Sequence, residues 1–448
     1  MIKRDMANVL IIGAGVAGLY ASLKLREEGH DVVILELENE PGGMVRSIHM
    51  DGFIFDMGFH VIHTNNPYYK GFFFDLLRSQ INEVITTAKS YYDGSLHYFP
   101  PILREIMRLP MRVRSRVLID LARGMLYKRL GKQKGNFEDQ LSLLTGEYLY
   151  KKYFKHYTEK FWGIPANQLS AKWVPQRVLP RVKGRSAQGN EWQAYPTLGG
   201  IDAIPKALAQ KAYSAGVTLN LGSMVVRIKT KADRAIGLSY IKESKEHDID
   251  FDVILSTMPL PDLFLALAKQ IPNHVETRSM VYVFLCVNQP DVLGDTSMYF
   301  FPNEGVPFTR VFNQKKFGYG CAPNGSSAVE VEFPCWVEDK IWKTSDSSLI
   351  EVATSYLKDF NILKNQDVRK TAVYRQRYAY PVHSIQYTRN IDLTRQMVGL
   401  KNLFVAGRLG RFFYTDMCGA MESASIAVED ALSFLSIKAN KSRRIMEK

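Results

Sequence analysis

Six residues near the amino terminus carry the clearest chemical pattern in the sequence. Gly13-Ala14-Gly15-Val16-Ala17-Gly18 directly follows the apolar run Asn8–Ile12 and opens the amphipathic stretch Leu19–Glu28, which Gly29 ends. A second apolar run, Asp31–Leu35, closes on Glu36. Strand, glycine turn, helix, strand and acid thus fall within about thirty residues, the spacing expected of a dinucleotide site. Gly13 makes the tight turn, Gly15 lets the backbone approach a pyrophosphate, and Gly18 lets the helix pack on its strand. With Ala17 these are the candidate contacts of the turn. The helix start offers unpaired amides and a partial positive charge to the phosphates. Glu36 can accept hydrogen bonds from a ribose diol.

The residues beyond Glu36 narrow the choice of dinucleotide. Asn39-Glu40-Pro41-Gly42-Gly43-Met44-Val45-Arg46-Ser47 places a second glycine pair and an arginine behind the ribose acid. This resembles the flavin amine oxidase superfamily. The resemblance implies FAD as cofactor, with Gly42, Gly43, Met44 and Arg46 in the loop that wraps its ribose and pyrophosphate. It also implies that Val225, in a Val-x-x-Ile pattern completed by Ile228, lies beside the adenine. Downstream, a short strand from Leu403 to Ala406 leads into Gly407-Arg408, and a helix is expected from about Met417 to Leu435. Such a helix would aim its first amides, beginning at Met417, at the flavin.

These pieces predict an α/β chain: a Rossmann-like FAD-binding domain of the GR2 type with an interleaved α+β substrate domain. The FAD-binding parts are expected at residues 1–85, 196–262 and 395–436. Between them lie a helical substrate segment at 86–195 and a β-rich one at 263–394, where runs such as MVYVFLCV and SAVEVEF alternate with Gly, Pro and Asn turns. Residues 437–448 read as a basic tail.

Further segments resemble the UDP-galactopyranose mutases, and they follow one another in the same order along most of the chain. Gly58-Phe59-His60-Val61-Ile62-His63-Thr64-Asn65 is similar to their G-x-H-x-x-H-T-N. Tyr157-Thr158-Glu159-Lys160-Phe161-Trp162-Gly163 is similar to their Y-T-E-K-x-W-G, in which the Tyr and Trp hold the uridine. Pro307-Phe308-Thr309-Arg310 is similar to their P-Y-T-R, whose Arg approaches the diphosphate. Tyr380-Pro381-Val382 matches a Y-P-V near the same site, and Tyr414-Thr415-Asp416-Met417 matches their Y-x-D-M. There is one departure: where those mutases carry a second substrate-facing arginine, this chain has Glu191, with Arg185 nearby in sequence. The stretch Tyr153 to Val178 equally resembles protoporphyrinogen-oxidase-like flavoproteins found in polysaccharide pathways.

The resemblance therefore implies an FAD-dependent enzyme acting on a small molecule, a nucleotide-linked sugar. The expected chemistry is a pyranose–furanose mutation in which reduced flavin N5 is the nucleophile. Arg310, Tyr380 and Tyr414 would hold the leaving diphosphate. Tyr157 and Trp162 would flank the base or pack in a helix core. His60 and His63 would stand near the flavin face or be buried structural histidines. Asp416 would bind a hydroxyl or cap the final helix. The alternative is an amine-oxidase-like or protoporphyrinogen-oxidase-like enzyme that takes a hydride from its substrate.

Composition bounds the remaining possibilities. The chain has 448 residues, a net charge of +13 and 46% hydrophobic residues, which excludes a largely disordered protein. No apolar run is long enough to cross a bilayer. The four cysteines are scattered with no CxxC pair, so neither a disulfide framework nor a zinc site is expected, and a cytoplasmic setting fits. Charge is concentrated from Arg104 to Lys134, with ten Lys/Arg against Glu105 and Asp120. That segment reads as a solvated face, an anionic-substrate contact or a peripheral contact with an anionic membrane. No nucleic-acid signature accompanies it.

Overall fold

A computed structural model describes residues 6–92, 94–98, 106–107, 109–130, 135–173, 191–364 and 367–446. Arg185, the candidate substitute for the mutase arginine, lies outside the described residues.

The apolar runs at the amino terminus become the centre of a five-stranded parallel sheet. Its order is Thr218–Asn220, Asp31–Leu35, Asn8–Ile12, Val253–Ser256 and Leu403–Val405. A parallel sheet is covered on both faces, so its strands are almost continuously apolar. Alternate side chains divide between the two coverings. Val9, Ile11, Val32 and Ile34 face the helices Val16–Glu27, Ala203–Ser214 and Met417–Met446. Leu10, Ile12 and Leu35 face the helix Leu260–Ala266 and a three-stranded antiparallel sheet spanning 224–249. The final helix runs about eleven residues beyond the end expected from its pattern, to Met446.

The second sheet has seven strands in the order Val368–Pro381, Thr277–Val287, Ser327–Cys335, Arg310–Asn313, Met298–Phe300, Ala88–Tyr92 and Ser95–Tyr98. One face packs on the helix Asp346–Asp359 and the other on helices drawn from residues 106–173. The stretch after residue 85, expected to be mostly helical, starts instead with the hairpin Ala88–Tyr92/Ser95–Tyr98. Its period is two: Ala88 and Ser90 are buried while Lys89 points outward. The long strand Val368–Pro381 was not singled out from sequence. It lies at the sheet edge, where Arg369, Lys370, Arg375 and Arg377 interrupt its apolar positions.

Asp56 ties the two sheets together. It is fully buried and accepts hydrogen bonds from Ser47 Oγ (2.7 Å), Tyr195 Oη (2.8 Å), Gln314 Nε2 (2.6 Å) and the Ile201 amide (3.0 Å). Three stretches remote in sequence, 47–56, 195–201 and the turn at Gln314, thus meet on one carboxylate.

Candidate active site

The glycine turn leaves a bare backbone surface. A Cβ at Gly18 would stand 2.0 Å from the Gly13 carbonyl oxygen, so Gly18 is required by the turn itself. Gly15 differs: its Cβ would meet nothing closer than Gly43 Cα at 3.9 Å. Gly15 also pairs with Gly42 in an isolated parallel bridge, and the Gly42 amide donates to Ala14 O at 2.9 Å. The helix that begins at Val16 has no side-chain cap, which leaves its first amides for a ligand. Ala17 packs toward Gly407, whose amide donates to Ser423 Oγ at 2.8 Å.

Glu36 stands at the other end of this surface. Its Oε2 accepts from the Ala14 amide at 2.5 Å and its Oε1 from the Glu38 amide at 3.0 Å. Burial raises its carboxyl, and the two amides pull it back. The Ser223 amide donates to Glu36 O at 2.7 Å and the Gly222 amide to Glu38 O at 3.0 Å. These bonds bring the strand bearing Val225 alongside the acid. Arg46 is buried. It donates from Nε to Gly43 O at 2.9 Å and from Nη2 to Tyr374 Oη at 3.0 Å, and pairs with Glu38 at 3.2 Å. It thereby stiffens the second glycine loop and joins it to the seven-stranded sheet. An uncapped helix start, facing glycine backbones and a carboxylate with lone pairs to spare fit FAD, whose pyrophosphate and ribose need those groups.

Arg408 links this cradle to a second group of aromatic and basic side chains. Its guanidinium lies 5.3 Å from the ring centres of both Tyr380 and Tyr414, and its Nη1 is 3.9 Å from Met44 Sδ. Its Nε donates to Thr415 O at 2.8 Å, just before Met417 starts the final helix. Tyr380 and Tyr414 stack at 5.5 Å, and Trp162 stands edge-on to both. Arg310 approaches Tyr380 Oη at 3.4 Å and crosses the Phe161 ring at 5.6 Å. Arg310, Arg408, Tyr380, Tyr414 and Trp162 therefore come together as one group. Tyr157 stands a little apart, between Phe161 and Phe300, where two core clusters meet.

Burial, followed by the fields of Arg408 and Arg310, lowers His60 to about 4, so its imidazole is neutral. His60 Nδ1 is 3.0 Å from Gly58 O. His63 faces acids instead: Nδ1 is 2.6 Å from Glu191 and Nε2 is 3.9 Å from Asp416. Asp416 Oδ1 also accepts from the Gly419 amide at 2.8 Å, so it caps the final helix as well. Burial raises the Tyr380 phenol, which keeps it a neutral donor.

Sequence reasoning missed Glu332 and Glu330. Glu332 is fully buried and pairs with Arg310 Nε. Glu330 accepts from the Gly58 amide at 3.1 Å. Burial and then the neighbouring Glu332 push Glu330 well above the usual carboxylate range. The signal was present: in SAVEVEF both acids share one face of an apolar strand, and a buried acid demands a partner. His383 was also missed. Its Nε2 accepts from the Tyr414 amide at 3.1 Å, and burial lowers it to about 4.

Known proteins share this architecture. The family described as flavin containing amine oxidoreductase matches residues 16–432. A 1-hydroxycarotenoid 3,4-desaturase of Flavobacterium sp. (strain P99-3) is 23% identical, over 69% of this chain and 70% of its own length. A probable UDP-galactopyranose mutase of Klebsiella pneumoniae is 25% identical, over 43% of this chain and 50% of its own. Among solved structures, reduced UDP-galactopyranose mutase superposes with a TM-score of 0.80 at 23% identity, covering 96% of this chain and 94% of the other. A protoporphyrinogen-oxidase-like protein from Exiguobacterium sp. 255-15 superposes with a TM-score of 0.76 at 16% identity, covering 94% and 98%. At these identities the superpositions establish the fold. The family match spans nearly the whole chain, and FAD is the cofactor it implies. The protein belongs to the flavin-containing amine oxidoreductases, and it is an FAD-dependent enzyme.

Proposed function

We propose that this enzyme acts on a nucleotide-linked sugar, as a pyranose–furanose mutase of the UDP-galactopyranose mutase type. One observation carries the reading: two guanidinium groups and two phenols converge beside His60, which burial and then the two cations keep neutral. Cations with hydroxyl donors are the set that grips a diphosphate. When bound in its reduced form, the flavin supplies a nucleophilic N5 for the anomeric carbon. The chain's own residues keep the departing nucleotide in place. Arg310, braced through Nε by Glu332, offers its remaining N–H groups to phosphate oxygens. Tyr380 and Tyr414 donate phenolic hydrogen bonds to the same group, while Phe161 and Trp162 wall it from water.

A thermal-shift panel of nucleotides and nucleotide sugars, on oxidised and reduced protein, tests this reading. UDP or a UDP-sugar should raise Tm; a flat panel counts against it. Arg310→Lys keeps the charge but loses the planar fork, so UDP affinity should fall about tenfold with flavin content unchanged. Unaltered affinity would remove Arg310 from the diphosphate.

The second reading is an oxidoreductase that takes a hydride and passes electrons to oxygen or another acceptor. Glu191 favours it, because an acid paired with His63 stands where the mutase pattern has a cation. Oxygen consumption with a small-molecule reductant, without any effect of UDP, would select this alternative.

A further inference from the structure

The basic helix Met111–Arg129 has one face committed to the protein. Val117 and Gly124 are buried, and Val113 and Leu121 pack into the cluster that contains Trp162 and Tyr380. The opposite face is open. Met111, Leu118 and Met125 recur every seven residues, so they fall on nearly one line along the helix. Ile119, Leu126 and Leu130 form an adjacent line. All six are exposed, Met111 by 74%, Met125 by 68% and Leu130 by 60%.

The exposed arginines Arg112, Arg116, Arg123 and Arg129 are interleaved with them. Asp120 is the one acid of the helix. It is largely covered, beside Gly146, and lies 3.9 Å from Arg123.

A solvated face would carry polar residues at these positions, and a soluble monomer rarely gathers large apolar side chains this way. Long apolar chains mixed with arginines are the composition of a helix lying in a bilayer interface. Charge decides the occupant. A twofold contact with a second copy would set these arginines against one another, whereas anionic headgroups neutralise them.

We propose that the exposed face of Met111–Arg129 docks the enzyme on an anionic lipid bilayer. The methionines and leucines reach the acyl boundary, and the arginines lie among the headgroup phosphates. No helix among the described residues is long and apolar enough to cross a membrane, so the contact is peripheral. The inner face of the same helix packs on the helix Phe137–Thr145, within the cluster that also holds Trp162 and Tyr380.

Vesicle co-sedimentation of the full flavin-loaded chain tests the proposal. Phosphatidylcholine vesicles containing phosphatidylglycerol should bind it, neutral ones should bind it at least about tenfold less, and high salt should weaken the binding. The triple change Met111→Ser, Leu118→Ser, Met125→Ser should lower partitioning about tenfold or more. Arg112→Ser with Arg129→Ser should lower it by roughly 20- to 30-fold. Flavin absorbance and Tm of both variants should match those of the parent, which separates lost docking from lost folding. Absence of vesicle binding, equal binding to neutral vesicles, or variants that bind like the parent would overturn it. So would a parent dimer that the serine changes convert to monomer without any vesicle binding, because the face would then belong to a second copy.

Discussion

Gly15→Ala is expected to yield a folded but colourless protein, with FAD affinity reduced about 100-fold or more, equivalent to about 3 kcal/mol. Gly15 has φ −70° and ψ 174°, a backbone conformation open to any residue. A Cβ there meets no protein atom closer than 3.9 Å, so the apo fold has room for a side chain. The demand for glycine at this position comes from the ligand, because a side chain occupies the space through which a pyrophosphate reaches the backbone amides. Gly18→Ala provides the contrast. Its Cβ would collide with Gly13 O, so it should lower the Tm of flavin-free protein, whereas Gly15→Ala should not. Circular dichroism of both apo variants and a flavin fluorescence titration separate the two effects. Normal FAD uptake by Gly15→Ala would mean that the pyrophosphate does not pass over that turn.

Asp56→Ala should destabilise the protein by about 3–5 kcal/mol, read from urea unfolding. The change leaves four donors, on Ser47, Tyr195, Ile201 and Gln314, without their acceptor inside the core. Asp56→Asn keeps the volume and isolates the charge. Burial raises the Asp56 carboxyl to about 6 even though its four donors pull it down. The folded state therefore holds this proton more tightly than the unfolded chain does. The group's favourable contribution is fully present below its ordinary value of 3.8 and is lost as pH rises to about 6. The stability of the parent, measured against Asp56→Asn, should fall across that window by about 3 kcal/mol at most. Parallel pH profiles for the two proteins would rule out titration of Asp56.

The cofactor cradle was readable from sequence because its determinants are local. Gly13 to Gly18 and Glu36 belong to one continuous strand–helix–strand unit. Arg310, Tyr380 and Tyr414 were reachable through resemblance, and the fold gathers them around Trp162. What braces them was not legible. Glu332 reaches Arg310 only through the pairing of two adjacent strands, and Glu191 reaches His63 across 128 residues. The hub at Asp56 shows the same limit, since its donors at Tyr195 and Gln314 belong to segments that no periodicity connects. The edge strand Val368–Pro381 escaped notice for another reason. Only one of its neighbours is a strand, so half-exposed charges are tolerated along it and its alternation is blurred.

The parallel sheet under the cradle takes its outermost strand from Leu403–Val405, although its central strand is Asn8–Ile12. A ribosome making this chain therefore releases the glycine turn hundreds of residues before the strand, and Gly407 behind it, that complete its surroundings. Until then the nascent amino terminus presents one open, apolar sheet margin, a surface suited to chaperone custody. Capture of FAD at this turn is therefore expected to follow synthesis of that last strand.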